Sequence, residues 1–140
     1  RIETLIGRSR KNRQLMSVTE ITGKKSVTNY KTLKVFNVKD IPKISFIECE
    51  LETGRTHQIR VHMAYKGNSL LGDQQYGKKN LKFKKINEDF ENKLKILNRQ
   101  ALHAKTLGFI HPTSKKLINF ESKLPRDFKK ILDLLNKLSH

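Results

Sequence analysis

Residues 51–62, LETGRTHQIRVH, hold the densest group of side chains that could do chemistry. Their pattern predicts the end of a strand, a glycine turn and the start of a helix, with Thr56 as the N-cap. Unpaired backbone N–H groups at a helix start, together with the charge of Arg55, suit a phosphate group. The same spacing also fits a pair of arginines, Arg55 and Arg60, that are simply solvated. An anion or RNA site is therefore one of two open interpretations.

The histidines of the chain lack the arrangement of a metal site. His57 and His62 are five residues apart, which takes them off a common helix face, and no cysteine or carboxylate cluster joins them. We expect no bound metal. We expect His57 to form hydrogen bonds at the helix start or to contact RNA. Two later histidines, His103 and His111, are interpreted as structural.

The overall charge favours a polyanionic partner. Thirty Lys and Arg residues stand against 13 Asp and Glu residues, which gives a formal net charge of +17 at pH 7. Such an excess attracts polyanions, most often nucleic acid. The opening loop carries Arg8, Arg10 and Arg13, which we expect to contact RNA phosphates. The other explanation is a lysine-biased composition that surrounds a neutral enzyme with solvated charge.

The sequence favours neither a membrane segment nor a disulfide. No stretch approaches the roughly 18 consecutive apolar residues of a membrane span. No basic amphipathic helix carries the Trp or Phe anchors of a membrane-surface helix. The single cysteine, Cys49, excludes an intrachain disulfide and is interpreted as a small apolar strand residue. This cysteine usage is typical of a reducing cytoplasm, where we expect the protein to be located.

The first part of the chain has the residue pattern of strands. Two β-rich runs, 14–20 and 26–36, are expected to pair as a hairpin because Gly23 between them can take the positive φ of a turn. Residues 43–51 alternate between two faces and predict a strand with at least one buried face. A helix is then expected over residues 57–65, with Gly67 as its stop. Its residues Ile59 and Met63, one turn apart, should pack inward.

The second part of the chain mixes helix and strand patterns. Residues 78–98 are polar and rich in lysine, and we expect a variable surface insertion that is helical near residues 88–97. Strands are expected over 101–111 and 117–121, followed by a terminal helix after Pro125. The apolar face of that helix consists of Phe128, Ile131, Leu132, Leu135 and Leu138. The fold class is therefore α+β, with a largely antiparallel mixed sheet and two or three helices, in a single partial domain over residues 1–140.

Four ordered segments of the chain resemble a known family. In chain order they read GRSRKNRQLMSV with GKKSVTNY, then LETGRTHQIRVHM, then GNSLLGDQQYG, then RQALHAKTLGFIHP. Together they are similar to the C-terminal signature set of the RluA-type RNA pseudouridine synthases of the large-subunit ribosomal RNA type. The resemblance covers nearly the whole chain apart from residues 78–98, and it implies the C-terminal portion of the pseudouridine synthase catalytic fold.

The resemblance implies an isomerase that converts uridine to pseudouridine in ribosomal or transfer RNA, with no cofactor and no metal. Such an enzyme flips the uridine out of the RNA, so basic side chains must hold the flanking phosphates. Besides the opening loop, Arg55, Thr56 and His57 are the residues expected to contact RNA. A monomer is expected. The GD..YG pattern makes Asp73 a turn residue, and Tyr76 either caps that loop against the core or lines a cleft.

The family's essential aspartate lies in an HRLD-type motif, and that motif occurs nowhere in these 140 residues. The family places it upstream of Gly7, together with a tyrosine that contacts the target base. Arg60 matches the family arginine that pairs with this aspartate, and it is expected to have no such partner here. The chain is therefore expected to be a fragment that is inactive alone, either clipped or from a broken gene. The alternative is a non-catalytic basic RNA-binding remnant; a small ribosome-associated protein would explain the charge but not the motif.

Overall fold

The computed structural model describes residues 1–39, 42–77 and 88–139. The described residues confirm the predicted α+β class, with antiparallel sheets and three helices. In chain order the elements are β1 (Ile2–Arg8), β2 (Met16–Thr19), β3 (Lys24–Phe36), β4 (Ile44–Leu51), α1 (Gln58–Tyr65), α2 (Glu88–Leu97), β5 (Thr106–Ile110), β6 (Leu117–Glu121) and α3 (Arg126–Leu138).

The larger sheet has the strand order β2-β1-β3-β4, and every neighbouring pair is antiparallel. The predicted hairpin between β2 and β3 is therefore wrong, because β1 lies between them. Leu5 of β1 pairs with Thr19 on one side and with Lys25 on the other. The reason is the apolar face of β1, where Ile2 and Ile6 are four residues apart and both buried.

The core of the described part lies where the end of β3 meets α2 and α3. Its buried members are Phe36, Phe90, Leu97, Ile131 and Leu135. The predicted apolar face of α3 is confirmed, since three of its residues are buried: Phe128, Ile131 and Leu135. Residues 78–87 of the expected surface insertion lie outside the described residues. The rest of that stretch forms the expected helix, but α2 supplies Phe90 and Leu97 to the core and is not a surface element.

Helix α1 begins one residue later than expected. Its N-cap is His57, in the left-handed conformation with φ 56°, and no side chain caps the helix start. The prediction of Thr56 as the N-cap is therefore wrong. At the other end Gly67, with φ 80°, donates its N–H to Ala64 O, while the Asn68 N–H bonds to Met63 O. This pair of hydrogen bonds is a Schellman motif, which confirms Gly67 as the stop.

The predicted second hairpin is confirmed as a separate two-stranded sheet, β5 and β6, with Leu107 opposite Phe120. Strand β5 is shorter than expected, since residues 101–105 are not in a strand. Among the helices of the described ranges, none has the length and apolar character needed to cross a membrane.

Candidate functional site

Helix α1 buries polar side chains where an apolar face was expected. Met63 is buried as predicted, but Ile59 is only half-buried. The buried polar residues are Gln58, Arg60 and His62, of which His62 has no exposed surface. Buried polar groups are costly unless they are hydrogen-bonded, so the partners of these three side chains define the site.

Arg60 forms a two-pronged ion pair with Asp73. Its Nε donates to Asp73 Oδ2 and its Nη2 to Asp73 Oδ1, both at 2.8 Å, and Nη2 also donates to Gln75 Oε1 at 2.8 Å. The Asp73 side chain has no exposed surface, and that of Arg60 is 9% exposed. Asp73 is a carboxylate partner that the sequence did not predict; the expectation that Arg60 lacks the catalytic aspartate of the family in this chain stays a prediction. Charge-assisted pairs with two parallel hydrogen bonds are the strongest and most directional of their kind.

Asp73 is also the turn residue that its motif predicted. Its Oδ1 accepts the backbone N–H groups of Gln75 and Tyr76, at 3.1 and 3.0 Å. Burial alone would raise the pKa of Asp73, but the hydrogen bond from Arg60 and those from the two backbone N–H groups lower it below its ordinary value. Asp73 in turn raises the pKa of Arg60. Both groups are therefore charged in the folded protein.

Tyr76 connects its own loop to β2 and to the start of α1, next to the Arg60–Asp73 pair. Its hydroxyl accepts the backbone N–H of Met16 at 3.0 Å and lies 3.0 Å from Nδ1 of His57. Its ring faces the Arg60 guanidinium, with Cζ 4.8 Å from the ring centroid, a cation–π contact. These contacts place Tyr76 beside Arg60; its position in a cleft stays a prediction.

His57 is held in a defined state at the start of α1. Burial, followed by the positive charge of Arg60, lowers its pKa below the ordinary value, although the charge of Asp73 opposes this; Arg8 lowers it further. Nδ1 of His57 forms a hydrogen bond with the Tyr76 hydroxyl. Nε2 forms no hydrogen bond with any described residue, so it can bind a ligand.

One edge of the Arg60 guanidinium stays open. Within residues 1–39, 42–77 and 88–139, no acceptor forms a hydrogen bond with Nη1 of Arg60, and Nη1 is not among the fully buried unpaired atoms. A guanidinium has five N–H donors and attracts carboxylates and phosphates. Nη1 is therefore the atom that can bind a further anionic group.

Gln58 is a site residue that the sequence reasoning missed. Its Oε1 accepts the Thr53 hydroxyl at 2.8 Å and the Arg55 N–H at 3.0 Å, while its Nε2 donates to Val27 O and the Thr28 hydroxyl, both at 3.0 Å. All four hydrogen-bonding positions of the amide are therefore used. They fix the turn that leads into α1 against β3. No periodic pattern in the sequence signals such a residue, because a buried amide is recognised only by its partners.

The residues expected to bind RNA are all at least partly accessible. Arg8 is exposed at the end of β1, and Arg10 and Arg13 are exposed on the loop between β1 and β2; Arg8 donates a hydrogen bond to the carbonyl of Arg13 at 3.4 Å. Arg55 and Thr56 are exposed in the turn before α1. The structure brings Arg8, His57 and Arg60 within electrostatic reach of one another. Among the described residues, no contact links Arg10 to Arg60, Asp73 or Tyr76.

His103 and His111 form local hydrogen bonds, as expected of structural residues. His103 Nε2 lies 3.1 Å from the carbonyl of Ser122, and His111 Nδ1 accepts the backbone N–H of Ser114. In the part of the chain that the structure describes, no group of three or more His, Cys, Asp or Glu residues could hold a metal ion.

Comparison with known proteins defines the class. A sequence model of a protein family, described as RNA pseudouridylate synthase, matches residues 1–65, which contain β1 to β4 and all of α1. This match assigns residues 1–65 to the family of RNA pseudouridine synthases.

Particular relatives are similar over almost the whole chain. Ribosomal large subunit pseudouridine synthase D of Zymomonas mobilis is 42% identical over 135 residues, which cover 96% of this chain and 39% of that protein. The protein of the same name from Neisseria meningitidis serogroup A is 42% identical over 136 residues, 96% of this chain and 34% of that one. The uncharacterized RNA pseudouridine synthase YlyB of Bacillus subtilis is 42% identical over 137 residues, 97% of this chain and 39% of the relative. The chain thus spans less than half the length of these curated relatives.

A solved structure shares the fold. Human RNA Pseudouridylate Synthase Domain Containing 1 superimposes with a TM-score of 0.64 at 22% sequence identity, over 96% of this chain and 58% of that one. This likeness supports the assignment of the α+β arrangement to the same fold.

Proposed function

We propose that residues 1–140 are the C-terminal part of the catalytic domain of an RNA pseudouridine synthase that acts on large-subunit ribosomal RNA. Support for the substrate comes from relatives at 42% identity that are named ribosomal large subunit pseudouridine synthase D. The observation that carries the proposal is the buried guanidinium of Arg60, which is held on one edge and open at Nη1.

The open edge suits the catalytic aspartate of the family. That carboxylate, on an HRLD-type motif outside these 140 residues, would bind Nη1 of Arg60. An arginine beside a carboxylate keeps it ionised and oriented for its reaction at the uridine. Asp73 does not serve as the reacting group, because Arg60 and two backbone N–H groups already engage its oxygens. The chain alone is therefore inactive.

The exposed basic side chains of the opening loop and of the turn before α1 suit the RNA backbone. Flipping a uridine out of a stack costs a few kcal/mol, so contacts to flanking phosphates must hold the strand. Arg8, Arg10 and Arg13 on the opening loop, with Arg55 and Thr56 at the turn, supply exposed donors and positive charge. Nε2 of His57, which has no hydrogen-bond partner among the described residues, adds a neutral contact beside Arg60. In this proposal the protein works as a cytoplasmic monomer without cofactor or metal.

Pseudouridine mapping tests the proposal directly. The full-length protein that carries this chain is incubated with an unmodified transcript of the large-subunit ribosomal RNA, and pseudouridines are located by chemical mapping. We expect modification by the full-length protein and none by residues 1–140 alone. Turnover by residues 1–140 alone would mean that a residue of this chain, Asp73 first, supplies the carboxylate. Binding without modification by the full-length protein would favour the alternative, a non-catalytic basic RNA-binding remnant.

A further inference from the structure

We infer that Asp73 is a positioning residue for the reaction: with Gln75 and Tyr76 it fixes the Arg60 guanidinium so that only Nη1 faces the reacting carboxylate. This inference rests on the proposed function, and it assigns a role to a side chain that does not touch the RNA or the reacting atoms.

The count of donors on the guanidinium supports this role. Of its five N–H groups, Asp73 accepts one from Nε and one from Nη2, and Gln75 accepts the other from Nη2. Three donors are therefore used: the Nε–Nη2 edge faces Asp73, and the second N–H of Nη2 faces Gln75. The two that remain are both on Nη1, so a second carboxylate can bind at that atom only. A rotation of the guanidinium in its plane would break all three hydrogen bonds.

The turn that carries Asp73 is itself rigidly built. The Asp73 carboxylate accepts the N–H groups of Gln75 and Tyr76, and the Asp73 carbonyl accepts the Gly77 N–H at 2.9 Å. A Cβ atom at Gly77 would clash with that same carbonyl oxygen, which explains a glycine at this position. The Tyr76 ring covers one face of the guanidinium, at 4.8 Å from Cζ. Arg60 is thus held by one edge and one face.

A second Arg–Asp pair in the chain provides a matched control. Arg99 contacts both oxygens of Asp127, at 3.2 and 3.0 Å, but through Nη2 alone. Both side chains are more than one third exposed. Exposed ion pairs contribute little to stability, and this pair makes no contact with Arg60, Asp73, Gln75 or Tyr76 among the described residues. Its loss should therefore not change the reaction.

The test compares Asp73→Asn with Asp127→Asn in the full-length protein, with unmodified large-subunit ribosomal RNA transcript as the substrate. We expect kcat of Asp73→Asn to fall about 100-fold, as it does when a catalytic group is displaced by about 1 Å. The KM for RNA should not change, because Asp73 faces Arg60 and not the phosphates. Asp127→Asn should keep the kcat of the wild type. Equal kcat values for Asp73→Asn and the wild type would overturn the inference.

Asp73→Glu separates positioning from a purely structural role. It keeps the charge that compensates Arg60, but its extra methylene displaces the guanidinium. We expect a protein that is less stable than the wild type but folded at the assay temperature, with kcat still reduced. Full recovery of kcat by Asp73→Glu would show that only the charge matters and would contradict the inference.

A measurement that does not depend on activity tests the Arg60–Asp73 contact separately from the proposed function. The Nε–Hε resonance of Arg60 in ¹⁵N-labelled full-length protein should be protected from exchange in the wild type and in Asp127→Asn, and should lose protection in Asp73→Asn. A wild-type protein that forms no pseudouridine overturns the proposed function and the catalytic part of this inference. Unaltered protection in Asp73→Asn overturns the positioning contact itself, whatever the activity.

Discussion

Asp73 and Arg60 are 13 residues apart, and two hydrogen bonds of 2.8 Å connect them. Arg60 lies on α1, whereas Asp73 lies on the loop that follows the helix, and both side chains are almost fully removed from solvent. An arginine buried without a counter-charge would be strongly unfavourable. The pair therefore lets a charged guanidinium remain inside the protein.

A second buried polar residue of α1 gives the protein a defined response to acid. His62 bonds to the hydroxyls of Thr4 and Thr28, at 2.9 and 2.8 Å, and burial lowers its pKa below the ordinary value of 6.5. The folded state thus binds a proton less readily than the unfolded state. The stability that neutral His62 contributes is fully present above pH 6.5. It is lost as the pH falls from 6.5 toward the lower pKa of His62 in the folded state.

We therefore expect the free energy of unfolding to decrease between pH 7 and pH 5. In His62→Gln, which cannot titrate, this part of the decrease should be absent. Urea unfolding of both proteins at a series of pH values measures the difference. The same pH dependence in the variant and the wild type would show that other groups cause it.

Gln58 should contribute to stability through the turn before α1. Gln58→Ala removes four hydrogen bonds of the amide, two of them to the buried Val27 carbonyl and Thr28 hydroxyl. The loss should be about 1–3 kcal/mol in the free energy of unfolding. Gln74→Ala is the matched control, since Gln74 is exposed and makes one bond of 3.2 Å to Asn98. Equal urea midpoints for the two variants would contradict the anchoring role of Gln58.

The sequence predicted well those features that depend on local pattern. The helix stop at Gly67, the hairpin of β5 and β6 and the apolar face of α3 follow from glycine conformation and from residue period, which act over a few positions. The pairing of β1 could not be predicted in this way. Strand partners depend on which apolar faces meet in three dimensions, and the charged loop after β1 masked the alternation of Ile2 and Ile6.

The site was predicted by residue type but not by its contacts. Arg60 and the turn role of Asp73 were both identified, yet their ion pair was not expected, because it depends on how the loop folds back onto α1. The N-cap shows the same limit: Thr56 has the right side chain, but His57 takes the left-handed conformation at the helix start. Its hydrogen bond to Tyr76, a partner 19 residues away, accompanies that conformation.

RNA affinity should depend steeply on salt and little on sequence. Arg8, Arg10 and Arg13 are exposed and carry no ion pair among the described residues, so their charges are available to phosphates. Each neutralised phosphate adds about −0.7 to −0.9 to the slope of log affinity against log salt concentration. Replacing the three arginines by glutamine should flatten this slope without changing sequence preference.

The control for that experiment removes the same charge elsewhere. The exposed lysines of α3, Lys129, Lys130 and Lys137, are replaced by glutamine. This triple variant should change the slope less than the arginine variant does. Filter binding to single-stranded RNA of two unrelated sequences, over a range of salt concentrations, provides the slopes. A salt-independent affinity, or a strong preference for one sequence, would point to a module that reads bases.

The turnover of Arg60→Ala in the full-length protein tests the central claim most directly. The measurement is pseudouridine formation on the ribosomal RNA transcript under single-turnover conditions, with RNA affinity determined in parallel for the same preparation. Because Arg60 is proposed to hold the reacting carboxylate and not the phosphates, the barrier should rise by roughly 2.7–4 kcal/mol, the cost of losing a preorganised electrostatic contact. RNA affinity should stay at the wild-type level, which also verifies that the variant is folded. A variant that binds RNA normally and reacts at the wild-type rate would contradict the role of Arg60.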